Sequence, residues 1–366
     1  MQLREFKLER FFAAHEFSAR HLLSASDCEA LTLAELLVLA DDESLALWRD
    51  LKLGYTESAG HPLLRSAAAA LYEGIAADEV LIAAPEELIF IAMNVLVAPG
   101  DGVIVTFPGY QSLYEVASAL GARTTRWTLQ PDASGWRLDL AALEQHITPA
   151  TRLLVINFPH NPTGYLPGRD ELNTILDLAR QHNLVVFADE MYRLLEYDPG
   201  RRLPSVADVY ERGIALGGLS KAFGLPGLRI GWLATHDRSF LARAQAFRDY
   251  TTICNSAPAE ILGLMALRRA EQITARNLAI IRANLTLAEQ FFAGHPDRFR
   301  WLPPQAGPVA FPQFIAGSPV AEFCRRALEQ YDTMILPGDV FEVAGDHFRL
   351  GLGRRDFRAA MAVLAA

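Results

Sequence analysis

Cysteine is scarce in this sequence: Cys28, Cys254 and Cys324 are the only three in 366 residues. No short spacing pairs them, so neither a disulfide framework nor a zinc site is indicated, and no metal is expected. Positive charge is not in excess either. Lys and Arg number 34 against 43 Asp and Glu, leaving a formal net charge of −9. With no basic tail, that balance excludes a general nucleic-acid binder. There is no unbroken apolar run of membrane length, because the most apolar stretch, residues 80–99, is interrupted by Pro85, Glu86 and Glu87. The opening MQLREFKLERFF lacks the apolar core of a signal peptide. The expectation is a soluble, cytoplasmic chain whose partners include neither membrane nor nucleic acid. A dinucleotide fingerprint is missing as well: the glycines at GGLS have the wrong spacing and a lysine follows at once. No internal repeat or low-complexity tract is present.

What the chain does have is apolar content, 51 % of its residues, and enough length for a large folded core. From about residue 43 to 255, β-type runs such as DGVIVTFP, TRLLVINF, NLVVFADE and GIALGGLS alternate with helical stretches. That alternation predicts an α/β fold with a mostly parallel sheet covered by helices. Residues 258–293, rich in Ala, Leu, Arg and Glu, predict one long helix joining two domains. Beyond it, DHFRLGLG reads as a strand, SPVAEFCRRALEQY as a helix and RRDFRAAMAVLAA as a final helix. The expected division is an N-terminal segment, 1–42, contributing to a small domain; a large domain, 43–257; and a connecting helix with a C-terminal small domain, 258–366. Phe6, Phe11, Phe12 and Phe17 are more than a solvated helix needs. They are expected to pack on the chain's own small domain or on a partner subunit.

The chemistry concentrates in GGLSKAFGLPGLRIGW, residues 217–232. Lys221 stands there among small and apolar residues, a setting that disfavours the ammonium and yields a nucleophile toward carbonyls and a usable base. Arg229 offers a permanent cation with a fork of donors suited to phosphate. A carbonyl and a phosphate on one small molecule describe pyridoxal 5′-phosphate (PLP). LVVFADEMY, residues 184–192, reads as a buried strand ending on Asp189, where ligands sit in open α/β sheets. A carboxylate there pairs with a protonated pyridine nitrogen; as a plain structural residue it would cap a helix. LLVINFPHNPTG, residues 153–164, is a strand running into a turn that holds Asn161, a donor for a phenolate oxygen or simply a turn former.

These runs resemble the class I/II aminotransferases of the fold-type I PLP enzymes. NPTG, ADEMY, SK and PGLRIGW follow in that family's order at about its spacing, and the resemblance covers roughly residues 53–349. It implies a large domain with a mostly parallel, seven-stranded sheet between helices, plus a smaller α+β domain from both chain ends. It implies that Lys221 bonds the cofactor, Asp189 binds its ring nitrogen, Tyr192 and Asn161 contact its phenolic oxygen, and Arg229 with Ser220 meets its phosphate. Tyr110, from FPGYQSLY, is implied to stack on the ring. Tyr55, from YTESAGHPLLR, is implied to reach the phosphate of a neighbouring subunit, so that a homodimer shares its active sites. Arg349 is implied to bind the substrate α-carboxylate beside Asn161. The activity implied is transfer of an amino group between an α-amino acid and a 2-keto acid, with Lys221 as the base.

Two places depart from the family's wording. Gly218 stands where many members carry a phosphate-binding serine. The phosphate-binding helix start is AAPEEL, residues 83–88, in which Pro85 lacks an N–H. Pro85 suits a first helical turn, and Glu86 and Glu87 suit a helix N-terminus, but both carboxylates repel a phosphate unless they point away. The backbone N–H of Glu86 remains a donor. The same fold and residues also serve lyases, decarboxylases and cyclases. LLSASDCEALTLAELL and GPVAFPQF are similar to the cyclase branch that includes capreomycidine synthase, which is the alternative activity.

Overall fold

Seven strands between residues 80 and 234, all apolar runs except the polar edge strand, assemble into one sheet in the computed structural model, which describes residues 1–132 and 135–365. The strands are β1 (Val80–Ala83), β2 (Gly102–Phe107), β3 (Arg123–Thr128), β4 (Thr151–Asn157), β5 (Val185–Asp189), β6 (Gly213–Gly218) and β7 (Gly231–Ala234). Their order is β1-β7-β6-β5-β4-β2-β3. All neighbours run parallel except β7, which is antiparallel to both β1 and β6. Every residue of β1, β6 and β7 is buried, as a sheet covered on both faces requires. The register sets Asn157 beside Asp189 and Asp189 beside Leu216, so β4, β5 and β6 end side by side at one edge.

A smaller unit lies outside this sheet. Three short antiparallel strands, Val309–Ala310, Phe348–Gly351 and Leu336–Pro337, form its centre, and the helix Val320–Tyr331 packs nearby. Phe299, Phe314, Phe323 and Phe348 fill the space with rings 4.6–6.0 Å apart. The expected helix over 258–293 is in fact two, Ala257–Arg268 and Ala270–Ala293, broken at Arg269. No Gly or Pro marks the break. Tertiary contacts hold it instead: Arg268 pairs with Asp41 at 2.8 Å, and Arg269 Nε donates to the Leu39 carbonyl at 2.6 Å. The C-terminal run expected as one helix is a short α-helix, Phe357–Met361, followed by a 3-10 turn.

The N-terminal segment meets the smaller unit directly: His21–Leu22 pairs in parallel with Thr333–Met334, and Lys7 forms an ion pair with Glu342 at 3.3 Å. The helix Lys7–His15 buries Leu8 and packs Phe6, Phe11 and Phe12 against an apolar cluster of its own chain that joins Leu154 and Ile156 of the large sheet to Phe311, Leu336 and Phe341 of the smaller unit. Arg4 anchors the segment on Glu115, and Gln111 bonds it at both the Lys7 N–H and the Glu5 carbonyl. Phe17 stays 93 % exposed. No helix among the described residues is long and apolar enough to cross a membrane.

Candidate active site

The joined ends of β4, β5 and β6 open onto a cavity of about 610 Å³. Phe6 and the helix Lys7–His15 that follows line one side of it through Phe6, Leu8, Glu9 and Phe12. Nine of the ten sequence-derived site residues line it: Asn161, Asp189, Tyr192, Ser220, Lys221, Arg229, Glu86, Tyr110 and Arg349. Tyr55 does not, and its side chain is 93 % exposed.

Asp189 ends β5 and is buried. Burial pushes its carboxyl up to about 6, while the Met191 N–H on Oδ1 (3.1 Å) and the nearby Lys221 pull it back. No helix follows, so Asp189 caps none; residues 191–194 form a turn. Its second oxygen has no hydrogen-bond donor among the described residues. Asn157, which the sequence reading passed over, fixes the neighbourhood. Its Nδ2 donates to the Asp189 carbonyl at 3.0 Å, and its Oδ1 accepts the Asn161 N–H at 2.8 Å.

Lys221 follows the end of β6. Burial pushes its amine down, opposed chiefly by Asp27. Nζ donates to Ser26 Oγ at 2.8 Å. Tyr192, 2 % exposed, donates its hydroxyl to the Ser26 carbonyl at 2.9 Å. Arg349 lies on the strand Phe348–Gly351 and is 1 % exposed. Its Nε donates to the Ser24 carbonyl at 3.0 Å and Nη1 to Asn161 Oδ1 at 3.4 Å. Nη2 is buried with no partner, and no carboxylate pairs with the guanidinium, which sits between the Phe12 and Phe341 rings, each at 5.5 Å. A buried, unpaired guanidinium facing a cavity awaits an anion.

The remaining residues form the other end. Arg229 takes a left-handed conformation (φ 56°) after a 3-10 turn and is exposed at the cavity edge, with Nη1 on the Pro226 carbonyl at 3.0 Å. The helix Pro85–Leu96 begins directly after β1 with Pro85 at its first position. Its two glutamates part ways. Glu87 turns outward to the Thr252 hydroxyl at 2.8 Å, whereas Glu86 faces the cavity and accepts from the Ser112 hydroxyl. Burial holds the Glu86 carboxyl above the usual range. Tyr110 donates to Glu9 Oε1 at 2.9 Å, and its ring lies 5.0 Å from that of Phe6. Gly218 has a packing reason: a Cβ there would fall 2.9 Å from Met191 and 3.1 Å from Pro85. A side chain there requires the flexible end of Met191 to shift. His160 is fully buried, held neutral by burial at about 3, and bonded to Thr163 at 2.8 Å. Among the described residues no His, Cys, Asp and Glu group is arranged to hold a metal ion.

Glu9, Arg10, Glu16, Ser26 and Asn157 are the polar lining residues that sequence reasoning missed. Only Ser26 left a trace, as part of the serine-rich run before Asp27.

Residues 23–363 match the family aminotransferase class I and II. Capreomycidine synthase of Streptomyces vinaceus is 32 % identical over 348 residues, 94 % of this chain and 88 % of that protein. A PLP-dependent aminotransferase from Streptococcus suis superposes with a TM-score of 0.93 at 29 % identity, over 100 % of this chain and 97 % of the other. The PLP-dependent cyclase OrfR superposes with a TM-score of 0.91, also at 29 % identity and the same coverage.

Proposed function

The chain belongs to the class I and II aminotransferase family, and from that premise we infer that this enzyme uses PLP to move an amino group between an α-amino acid and a 2-keto acid. One observation carries the inference. A half-buried amine (Lys221), a buried carboxylate with a free oxygen (Asp189) and a buried guanidinium with a free nitrogen (Arg349) face the same cavity.

The residues fit the cofactor. Bound PLP supplies an electrophilic carbonyl and a ring that withdraws electrons from the substrate. Lys221 would bond the carbonyl, and Asp189 would hold a proton at the ring nitrogen. Tyr110 would lie along the ring, and Asn161 and Tyr192 would meet its phenolic oxygen. Ser220, Arg229 and the Glu86 N–H would face the phosphate. On the substrate, Arg349 binds the α-carboxylate and so sets which Cα bond is held for cleavage. Lys221 then removes the Cα proton, a step in which a positioned base contributes ~10²–10⁴-fold.

Arg349→Lys keeps the charge but loses the planar fork. It is expected to lower kcat/KM for the amino donor about 100-fold, mainly through KM. Steady-state kinetics checks this, and an unchanged KM would remove Arg349 from the substrate site.

A cyclase is the second reading, favoured by the similarity to capreomycidine synthase over 94 % of the chain. Product identification by mass separates the two. A transaminase forms a keto acid from the donor and needs a 2-keto acid acceptor to continue, whereas a cyclase turns over without acceptor and returns a ring-closed amino acid.

The proposal includes a homodimer with shared sites. Tyr55, Leu53, Tyr250 and Ile253 are all more than half exposed. The loops that carry them are tied together by Thr56 Oγ1 on the Asn255 carbonyl at 3.2 Å. Such a surface suits a second copy, and two-fold dimers are the commonest closed assembly. Mixing Lys221→Ala with Tyr55→Phe is expected to restore activity, because one site of each mixed dimer then holds both original residues. An active monomer in light scattering would contradict shared sites. The three cysteines are free, in keeping with a cytoplasmic location. The division at residues 42 and 257 is part of the same proposal, supported by the confinement of the seven-stranded sheet to residues 80–234.

A further inference from the structure

One short segment, residues 24–27, touches three of the residues assigned above. The Ser24 carbonyl accepts from Arg349, the Ser26 carbonyl from Tyr192, and the Ser26 hydroxyl from the Lys221 amine at 2.8 Å. The segment is clamped on both sides. Gly351 N–H donates to the Leu23 carbonyl at 2.6 Å, and Glu29 N–H to the Gly353 carbonyl at 2.8 Å. Any side chain at Gly351 or Gly353 would collide with the carbonyls of Ala25 and Asp27, so the backbones lie in direct contact. Asp27 is further tied to Arg354 Nη2 at 2.9 and 3.0 Å. Ser26 Oγ is therefore a fixed acceptor at the end of a flexible four-carbon stem.

We propose that Ser26 is the positioning residue that holds the Lys221 amine at the reaction centre whenever that amine is not bonded to cofactor. The inference rests on the role given to Lys221 above. A free lysine amine has many rotamers, and a base displaced by about 1 Å loses much of its effectiveness. Ser26 Oγ is the acceptor the structure supplies for Nζ. The charged groups that face Nζ are Asp27, Glu9 and Glu16 from the N-terminal segment, Asp189 from the end of β5, and Arg349 from the smaller unit. None of them bonds it directly, so the hydroxyl selects its position.

The test uses the PLP-loaded protein and methylamine. Methylamine displaces Lys221 from the cofactor, and dilution lets the lysine return, which stopped-flow absorbance follows at a series of pH values. A serine oxygen accepts more strongly from an ammonium than from an amine, so its loss favours the neutral amine. Ser26→Ala is expected to lower the plateau rate of return about 10-fold and to move the acid limb down by about one pH unit. Ser26→Thr keeps the hydroxyl and is expected to restore both. An alanine profile that superposes on the parent, or a threonine variant that behaves as alanine, overturns the assignment. Exchange of the donor's Cα hydrogen with deuterated solvent adds a second readout, expected to slow about 10-fold in Ser26→Ala with KM within twofold. If the parent exchanges no amino acid's Cα hydrogen, the aminotransferase assignment fails, and the methylamine profile still decides on Ser26.

Discussion

Lys221→Ala is expected to lower turnover by at least ~10³-fold, because the variant loses the group that removes the Cα proton. The fold should persist. Lys221 sits at the cavity edge, and its side-chain amine donates to Ser26 rather than into the core. The variant is expected to take up PLP through the remaining contacts while showing the absorbance of the free aldehyde rather than that of a lysine-bound cofactor. Retention of turnover within tenfold would place the base elsewhere.

Asp189→Asn is expected to cost about 10³-fold in turnover, since a neutral amide cannot keep the ring nitrogen protonated. Stability should move the other way. The carboxyl rises from 3.8 to about 6 on burial, so the folded chain binds its proton more tightly than the unfolded one. That contribution is full below about 4 and is lost as pH climbs through about 6. At pH 8 the cofactor-free Asn variant is therefore expected to melt no lower than the parent. Calorimetry and steady-state rates together check both halves. Near-normal turnover with a lower melting point would make Asp189 a structural residue only.

The sheet was legible because its central strands are buried on both faces and read as continuous apolar runs, as in LLVIN and VVFAD. Asp189 and Asn161 were legible because they stand where such runs stop. The break at Arg269 was not, since it is enforced by contacts with Leu39 and Asp41, far off in sequence, and by no local breaker. The course of residues 6–12 was also hidden: an apolar helix face does not say which surface it covers. Ser26 meets Lys221 across 195 residues, and only the fold brings them together. Gly218 reads as a missing phosphate contact in the sequence, and in the fold it packs closely against Met191 and Pro85. Tyr55 remains known by its motif and its exposure, because its proposed target belongs to a second chain.

The chain contains only three lysines, Lys7, Lys52 and Lys221, and the first two are exposed at the surface. Borohydride reduction of the PLP-loaded protein, followed by peptide mass mapping, therefore gives a direct answer on cofactor attachment. The added mass is expected on the peptide containing Lys221 and on neither of the others. Stable attachment at Lys7 or Lys52, or none at all, would contradict the assignment of this cavity as a PLP site.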